Sequence, residues 1–120
     1  MIEKIKRIVI KIAEQKPEGF TVNPLSQMLS LRGYAVATHE TQDCIGKKGL
    51  FKVIKFYLRH PGYCIGGWRN EEGVMQYDAT MVFHDLDEAI RAASRQNQRA
   101  IFNLYTGRVI PSEDYGMYMK

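Results

Sequence analysis

The 120-residue sequence lacks several features that would assign a protein to a class directly. No apolar run approaches the roughly 18 residues of a membrane-spanning helix, so we expect no membrane association. Charges interrupt residues 2–13, which therefore do not have the apolar core of a signal peptide. The two cysteines are too few for a disulfide framework. These absences predict a reduced, cytoplasmic protein.

Complete catalytic and cofactor motifs are also missing. The three histidines lie far apart without a paired ligand spacing, so we expect no metal site. The glycine pairs at 46 and 49 and at 66 and 67 do not match a phosphate-binding loop, and we expect no cofactor. Cys44 has no base near it in sequence and is interpreted as a small buried residue. The sequence leans towards a protein without enzymatic activity and leaves the question open.

Composition predicts one globular domain. The apolar fraction of 45% and the charged fraction of 25% are ordinary for a soluble protein. The core is expected within residues 2–110, and residues 111–120, which show no clear period, are predicted to be a loose tail. Three side chains of that tail could still dock on a surface, namely Tyr115, Met117 and Tyr118.

Hydrophobic periodicity predicts an α+β fold, in which three helices pack on a curved, mainly antiparallel sheet of four to six strands. Asp85 is the predicted N-cap of the third helix, with Glu88 completing a capping box. Residues 25–31 are ambiguous, and residues 40–45 read as a polar connection. The helices are expected at 2–15, 47–60 and 86–98, and strands at 20–23, 33–39, 63–83 (a hairpin), 100–105 and 108–110.

The hairpin carries the single tryptophan, Trp68, and turns through the polar residues 70–73. Alternation places Trp68 on the face opposite Ile65. The pair Gly66-Gly67 is unusual inside a strand. It indicates a bulge or a close approach by another backbone or a ligand, or else space for a neighbouring aromatic ring.

Positive charge is concentrated in the first half of the chain. The formal net charge is +4, with 11 basic and 5 acidic residues in 1–60 and 6 and 8 in 61–120. One helical face of residues 47–60 carries a basic stripe, which could follow a phosphate backbone or could be an ordinary solvated face. Lys4, Arg7 and Lys11 would extend it if the first two helices are neighbours, and Trp68 could stack a base or lie in the core. The basic stripe consists of Lys48, Lys52, Lys55 and Arg59.

Residues 39–43 are the densest polar cluster beside a strand end, where sites are often built. A histidine near carboxylates can act as a general base, with a cation stabilising an anionic transition state. A metal-independent ribonuclease is one interpretation, and a solvated loop whose Thr and Asp cap the next helix is the other. Asp78 would pair with Arg69 across the hairpin or belong to a site. The catalytic candidates are His39, Thr41, Gln42, Arg69 and Asp78.

Three runs carry a resemblance: GYAVATHETQDCIGKKGL at 33–50, IGGWRNEEG at 65–73 and DATMVFHDLDEAIRAASRQNQRAIFNLYTG at 78–107. Together they resemble an uncharacterised domain of bacterial conjugative-element and phage proteins, over roughly residues 19–110. Asn103 stands where that pattern has Asp, which puts an acidic role there in doubt. The resemblance implies a mobile-element context and little chemistry.

These observations favour a small mobile-element accessory protein that binds another macromolecule without catalysis, with a protein partner ranked ahead of nucleic acid. The alternatives are a nucleic-acid-binding module that uses the basic stripe, and a small ribonuclease-like toxin. The sequence does not indicate an oligomeric state.

Overall fold

A computed structural model describes residues 1–119 and shows an α+β architecture, as predicted. The helices are α1 (Ile2–Gln15), α2 (Gly46–Arg59), α3 (Leu86–Arg95) and the single turn α4 (Tyr115–Tyr118). The strands are β1 (Phe20–Asn23), β2 (Met28–Leu29), β3 (Tyr34–Ala37), β4 (Cys44–Ile45), β5 (Cys64–Arg69), β6 (Met75–Phe83), β7 (Ala100–Asn103) and β8 (Val109–Pro111).

The eight strands form one sheet in the order β2-β1-β5-β6-β3-β7-β8, and β4 also pairs with β6. Each pairing is antiparallel. The sheet therefore has more strands than the four to six predicted. The strands that the pattern missed, β2 and β4, have two residues each, which is too short to show an alternation of side chains.

The hairpin β5–β6 is confirmed at the centre of the sheet, with Ile65 opposite Ala79 and Arg69 opposite Met75. Its turn is closed by Asn70, whose side-chain oxygen accepts hydrogen bonds from the backbone N–H groups of Glu72 and Val74. The pairing register is continuous through Gly66 and Gly67. The interpretation of the glycine pair as a bulge is therefore wrong.

The helices cover one face of the sheet and form two separate cores. In the first core, α1 and α2 pack on β1, β5 and β6 through residues such as Val9, Ile54 and Ile65. In the second core, α3 packs on β3, β7 and β8 through residues such as Ile90 and Ile101. Alternation along paired strands places the sheet residues of both cores on the same face.

A short connection crosses the other face of the sheet. Residues 30–33 link β2 at one edge to β3, which lies beyond β1, β5 and β6 in the strand order. Ser30 lies beside Cys64 of β5, where its side chain partly offsets the rise in the pKa of the thiol that burial causes. A Cβ atom on Gly33 would lie 2.8 Å from Cγ1 of Val82, so this glycine allows the chain to pass close to the sheet.

Residues 111–119 differ from the loose tail predicted for 111–120, and residue 120 lies outside the described part of the chain. Residues 112–114 form a 3₁₀ turn that leads into α4, and Tyr115 is buried in the second core. Its hydroxyl group donates a hydrogen bond of 3.2 Å to the carbonyl oxygen of Gln98. Among the three residues named as able to dock, Tyr115 does so, while Met117 and Tyr118 are exposed. The segment shows no hydrophobic periodicity because Tyr115 is the single side chain that attaches it to the second core.

Candidate functional site

The polar cluster at 39–43 forms a short 3₁₀ turn, His39–Thr41, capped by the side chain of Thr38. The ring of His39 is exposed, and its Nδ1 lies 2.7 Å from Oε1 of Gln96 at the end of α3. The same amide oxygen accepts a hydrogen bond of 2.9 Å from the hydroxyl of Thr38. The partner of His39 is therefore a neutral amide, which lacks the negative charge with which a carboxylate would stabilise an imidazolium.

Thr41 has a structural role. It is buried, and its Oγ1 accepts a hydrogen bond of 2.9 Å from the backbone N–H of Ala79, in β6. Gln42 and Asp43 are exposed. The expectation that this loop caps α2 through its side chains is not met, because the N-cap of α2 is Ile45 and no side chain caps it.

Asp78 and Arg69 lie on opposite faces of the hairpin. Asp78 pairs with Gly66, and Arg69 pairs with Met75, an odd number of positions away. The proposed pairing of the two side chains is therefore wrong. The carboxyl group of Asp78 accepts a hydrogen bond from the hydroxyl of Thr80 on the face opposite the helices. Burial raises the pKa of this carboxyl group above its ordinary value, and the bond from Thr80 opposes that shift.

The two adjacent glycines make space for different groups. A Cβ on Gly66 would lie 2.6 Å from Oδ1 of Asp78, and a Cβ on Gly67 would lie 2.5 Å from Cε1 of Phe20. The expectation of space for an aromatic ring therefore holds for Gly67. Gly66 instead accommodates a carboxyl group.

The catalytic candidates do not come together as one site. His39 contacts α3, which packs on the helical face, whereas Asp78 is on the opposite face and Arg69 is exposed at the end of β5. Thr41 is held by the backbone of β6. Within residues 1–119, no group of three or more His, Cys, Asp or Glu residues could hold a metal ion.

The basic stripe lies on the outer side of α2. Its four side chains are exposed along α2, which contains five cationic and no acidic residues. Both α1 and α2 contribute to the first core, and each turns its apolar side inward. The condition set by the sequence, that these helices be neighbours, is therefore met. Together the two helices carry nine cationic and two acidic side chains. The residues that α1 adds on its exposed side are Lys4, Arg7 and Lys11.

The predicted partnership of Trp68 with the basic stripe is not formed. Trp68 is 43% exposed, but it alternates with Ile65 and Gly67 and so lies on the sheet face away from α2. The aromatic residue that does lie beside the stripe is Phe51, which is 46% exposed on α2. The Nζ atom of Lys55 is 5.3 Å from the centroid of its ring. The buried apolar face of α2 consists of Leu50, Val53, Ile54 and Tyr57, and Phe51 lies outside that helical spacing.

A cleft of about 90 Å³ separates the two cores on the helical face. Val36 and Met81 of the sheet and Arg95 and Gln96 of α3 contribute to its lining. This volume is well below the roughly 300 Å³ at which small-molecule sites begin.

Both cysteines are free, and burial raises the pKa of the Cys44 and Cys64 thiols, which disfavours the reactive thiolate.

Among residues 1–119, no helix combines the length and apolar character needed to cross a membrane. Comparison of the whole chain with protein-family models, curated proteins and solved structures finds no match in any of the three.

Proposed function

We propose that this protein is a non-enzymatic binding module whose ligand is a nucleic acid, held through its phosphate backbone on the outer surface of α1 and α2. The observation that carries the proposal is the exposure of the basic stripe on a helix without acidic residues, beside a second helix with an outward cationic side. Lysine and arginine side chains that contact phosphates release condensed counterions, which supplies affinity without reading sequence.

A nucleic acid fits this surface better than the protein partner that the sequence ranked first. The centres of specific protein interfaces are depleted in charged side chains and enriched in aromatic ones. The α2 surface has the opposite composition, since Phe51 and Leu58 are its only exposed large apolar side chains within residues 46–59. The ribonuclease alternative has less support, because His39, Asp78 and Arg69 do not lie together.

The test is a salt titration of binding with two variants of equal net charge. One variant replaces Lys48, Lys52 and Lys55 with Gln, and the control replaces three exposed arginines outside α1 and α2 with Gln. Binding to a labelled oligonucleotide is followed by fluorescence anisotropy, and the oligonucleotide is checked for cleavage on a gel. The arginines of the control are Arg91, Arg99 and Arg108.

We expect the lysine variant to lose most of its affinity for the oligonucleotide. The negative slope of log binding constant against log salt concentration should become shallower by about 2 to 3. The control should retain most of the affinity and the slope. Equal losses of affinity in both variants would mean that only the net charge of the protein matters, and would overturn the assignment of binding to the α1–α2 surface. An absence of binding would refute the proposal, and cleavage that His39→Ala abolishes would restore the ribonuclease interpretation.

A further inference from the structure

Phe51 is an exposed aromatic ring surrounded by cations. It lies near the middle of α2, outside the residues of the first core. On a helix, residues three and four positions away are neighbours on the same surface. Lysines occupy the positions four and three residues before Phe51 and four residues after it, namely Lys47, Lys48 and Lys55.

This arrangement combines the two elements that bind an unpaired strand. Cations follow the backbone, and an aromatic side chain stacks on a base, which every base permits because each has a π-face. A cation over the ring, such as Lys55 at 5.3 Å from its centroid, adds a favourable contact with the same π-system.

A duplex would leave Phe51 without a role. The bases of a duplex are stacked on one another and their faces are not available to a side chain unless a base step is opened. A phenyl ring at the outer surface of a helix, bordered by lysines, would then meet only the sugar-phosphate backbone. The ring adds affinity only if the ligand presents the face of a base.

We infer that the ligand of the α1–α2 surface is single-stranded nucleic acid, with Phe51 stacking on an unpaired base while the flanking lysines bind the adjacent phosphates. This inference rests on the proposed function and specifies its ligand. Trp68, the similarly exposed aromatic residue on the opposite face, then takes no part in binding.

The test compares Phe51→Leu with Trp68→Leu, because the two rings are 46% and 43% exposed and lie on opposite sides of the molecule. Each variant keeps an apolar side chain and removes the π-face. The probes are unstructured strands of oligo-dT and oligo-rU of about 20 nucleotides and a duplex of the same length, which exceed the site size of a small single-strand-binding domain. Phe51→Tyr, which retains a π-face, is the rescue variant. Circular dichroism and thermal unfolding check that the fold of each variant is intact.

The single strand should bind more tightly than the duplex at equal salt. Phe51→Leu should weaken binding of the strand by roughly fivefold or more, the low end of the effect of losing one stacked base. Phe51→Tyr and Trp68→Leu should stay within about twofold of the unsubstituted protein, and Phe51→Leu should not change binding of the duplex. Equal effects on oligo-dT and oligo-rU would support recognition of bases and phosphates rather than the 2′-hydroxyl.

Two outcomes overturn this inference and leave the proposed function standing. One is salt-dependent binding that Phe51→Leu leaves within about twofold, and the other is a duplex that binds as tightly as the strand. A loss with Trp68→Leu in place of Phe51→Leu would move the strand to the sheet face and overturn both. Failure of every probe to bind would refute the proposed function itself.

Discussion

Substitution of Gly67 by alanine is expected to destabilise the protein by overpacking the first core. The new Cβ would lie 2.5 Å from Cε1 of Phe20 and 3.3 Å from Cδ1 of Tyr77. Both rings are buried, at 9% and 5% exposure, so neither can move into solvent without uncovering the core. Relief requires a shift of the β1 and β5 backbones, which are paired at Phe20 and Gly67.

Overpacking of this kind costs about 1 to 3 kcal/mol in the free energy of unfolding. For a chain of 120 residues, that loss corresponds to a fall of roughly 4 to 12 °C in the midpoint of thermal unfolding. The assay is urea and thermal unfolding followed by circular dichroism. Gly116→Ala is the matched control, because a Cβ added there would have no atom within 4 Å and the backbone is helical. We expect the control to stay within about 0.5 kcal/mol of the parent.

A double-mutant cycle with Phe20→Leu isolates the contact. The smaller side chain removes the ring atoms that the new methyl group meets, so the double variant should lose less stability than the two single losses combined, by about 0.5 kcal/mol or more. Strict additivity would refute the assignment of the cost to the Phe20 ring. A Gly67→Ala protein as stable as the parent would refute the close packing of β1 on β5.

Three further predictions concern a partly buried carboxyl group, a buried threonine and a buried tyrosine. Burial raises the pKa of Asp78 in the folded protein above the ordinary carboxyl value of about 3.9. Protonated Asp78 therefore contributes fully to the free energy of unfolding below that ordinary value, and this contribution is lost as the pH rises through the pKa of the folded state. Asp78→Asn, which cannot ionise, should therefore be more stable than the parent at pH 7 in urea unfolding, and this advantage should shrink on acidification; an advantage that does not vary with pH would contradict the titration. Thr41→Val should cost about 1 to 3 kcal/mol, because the N–H of Ala79 loses its acceptor, whereas Thr41→Ser should unfold near the parent's urea midpoint. Tyr115→Ala should lower the free energy of unfolding by about 3 kcal/mol and Tyr115→Phe by about 1 kcal/mol; equal small effects would mean that the segment does not support the second core.

The regular elements of the fold were determined by local sequence. Helices α1, α2 and α3 and the hairpin β5–β6 were predicted close to their observed bounds, because each carries a periodic apolar face ended by Pro, Gly or a capping residue. The side chain of Asp85 caps α3 by accepting from the N–H of Asp87, while the predicted contribution of Glu88 is not seen among the hydrogen bonds of residues 1–119. The basic stripe was also predictable, because its residues recur every three or four positions along one helix and therefore share one face.

Tertiary structure decided which of these features lie together. Alternation placed Trp68 on one side of the hairpin, but only the packing of α2 against the other side separated it from the basic stripe and left Phe51 beside the lysines. Spacing along the sequence also could not show that Asp78 would face Gly66, or that Tyr115 would anchor the C-terminal segment. Local periodicity specifies which face of a helix or strand is apolar. The packing of those apolar faces against distant parts of the chain then decides which residues become neighbours on the exposed faces.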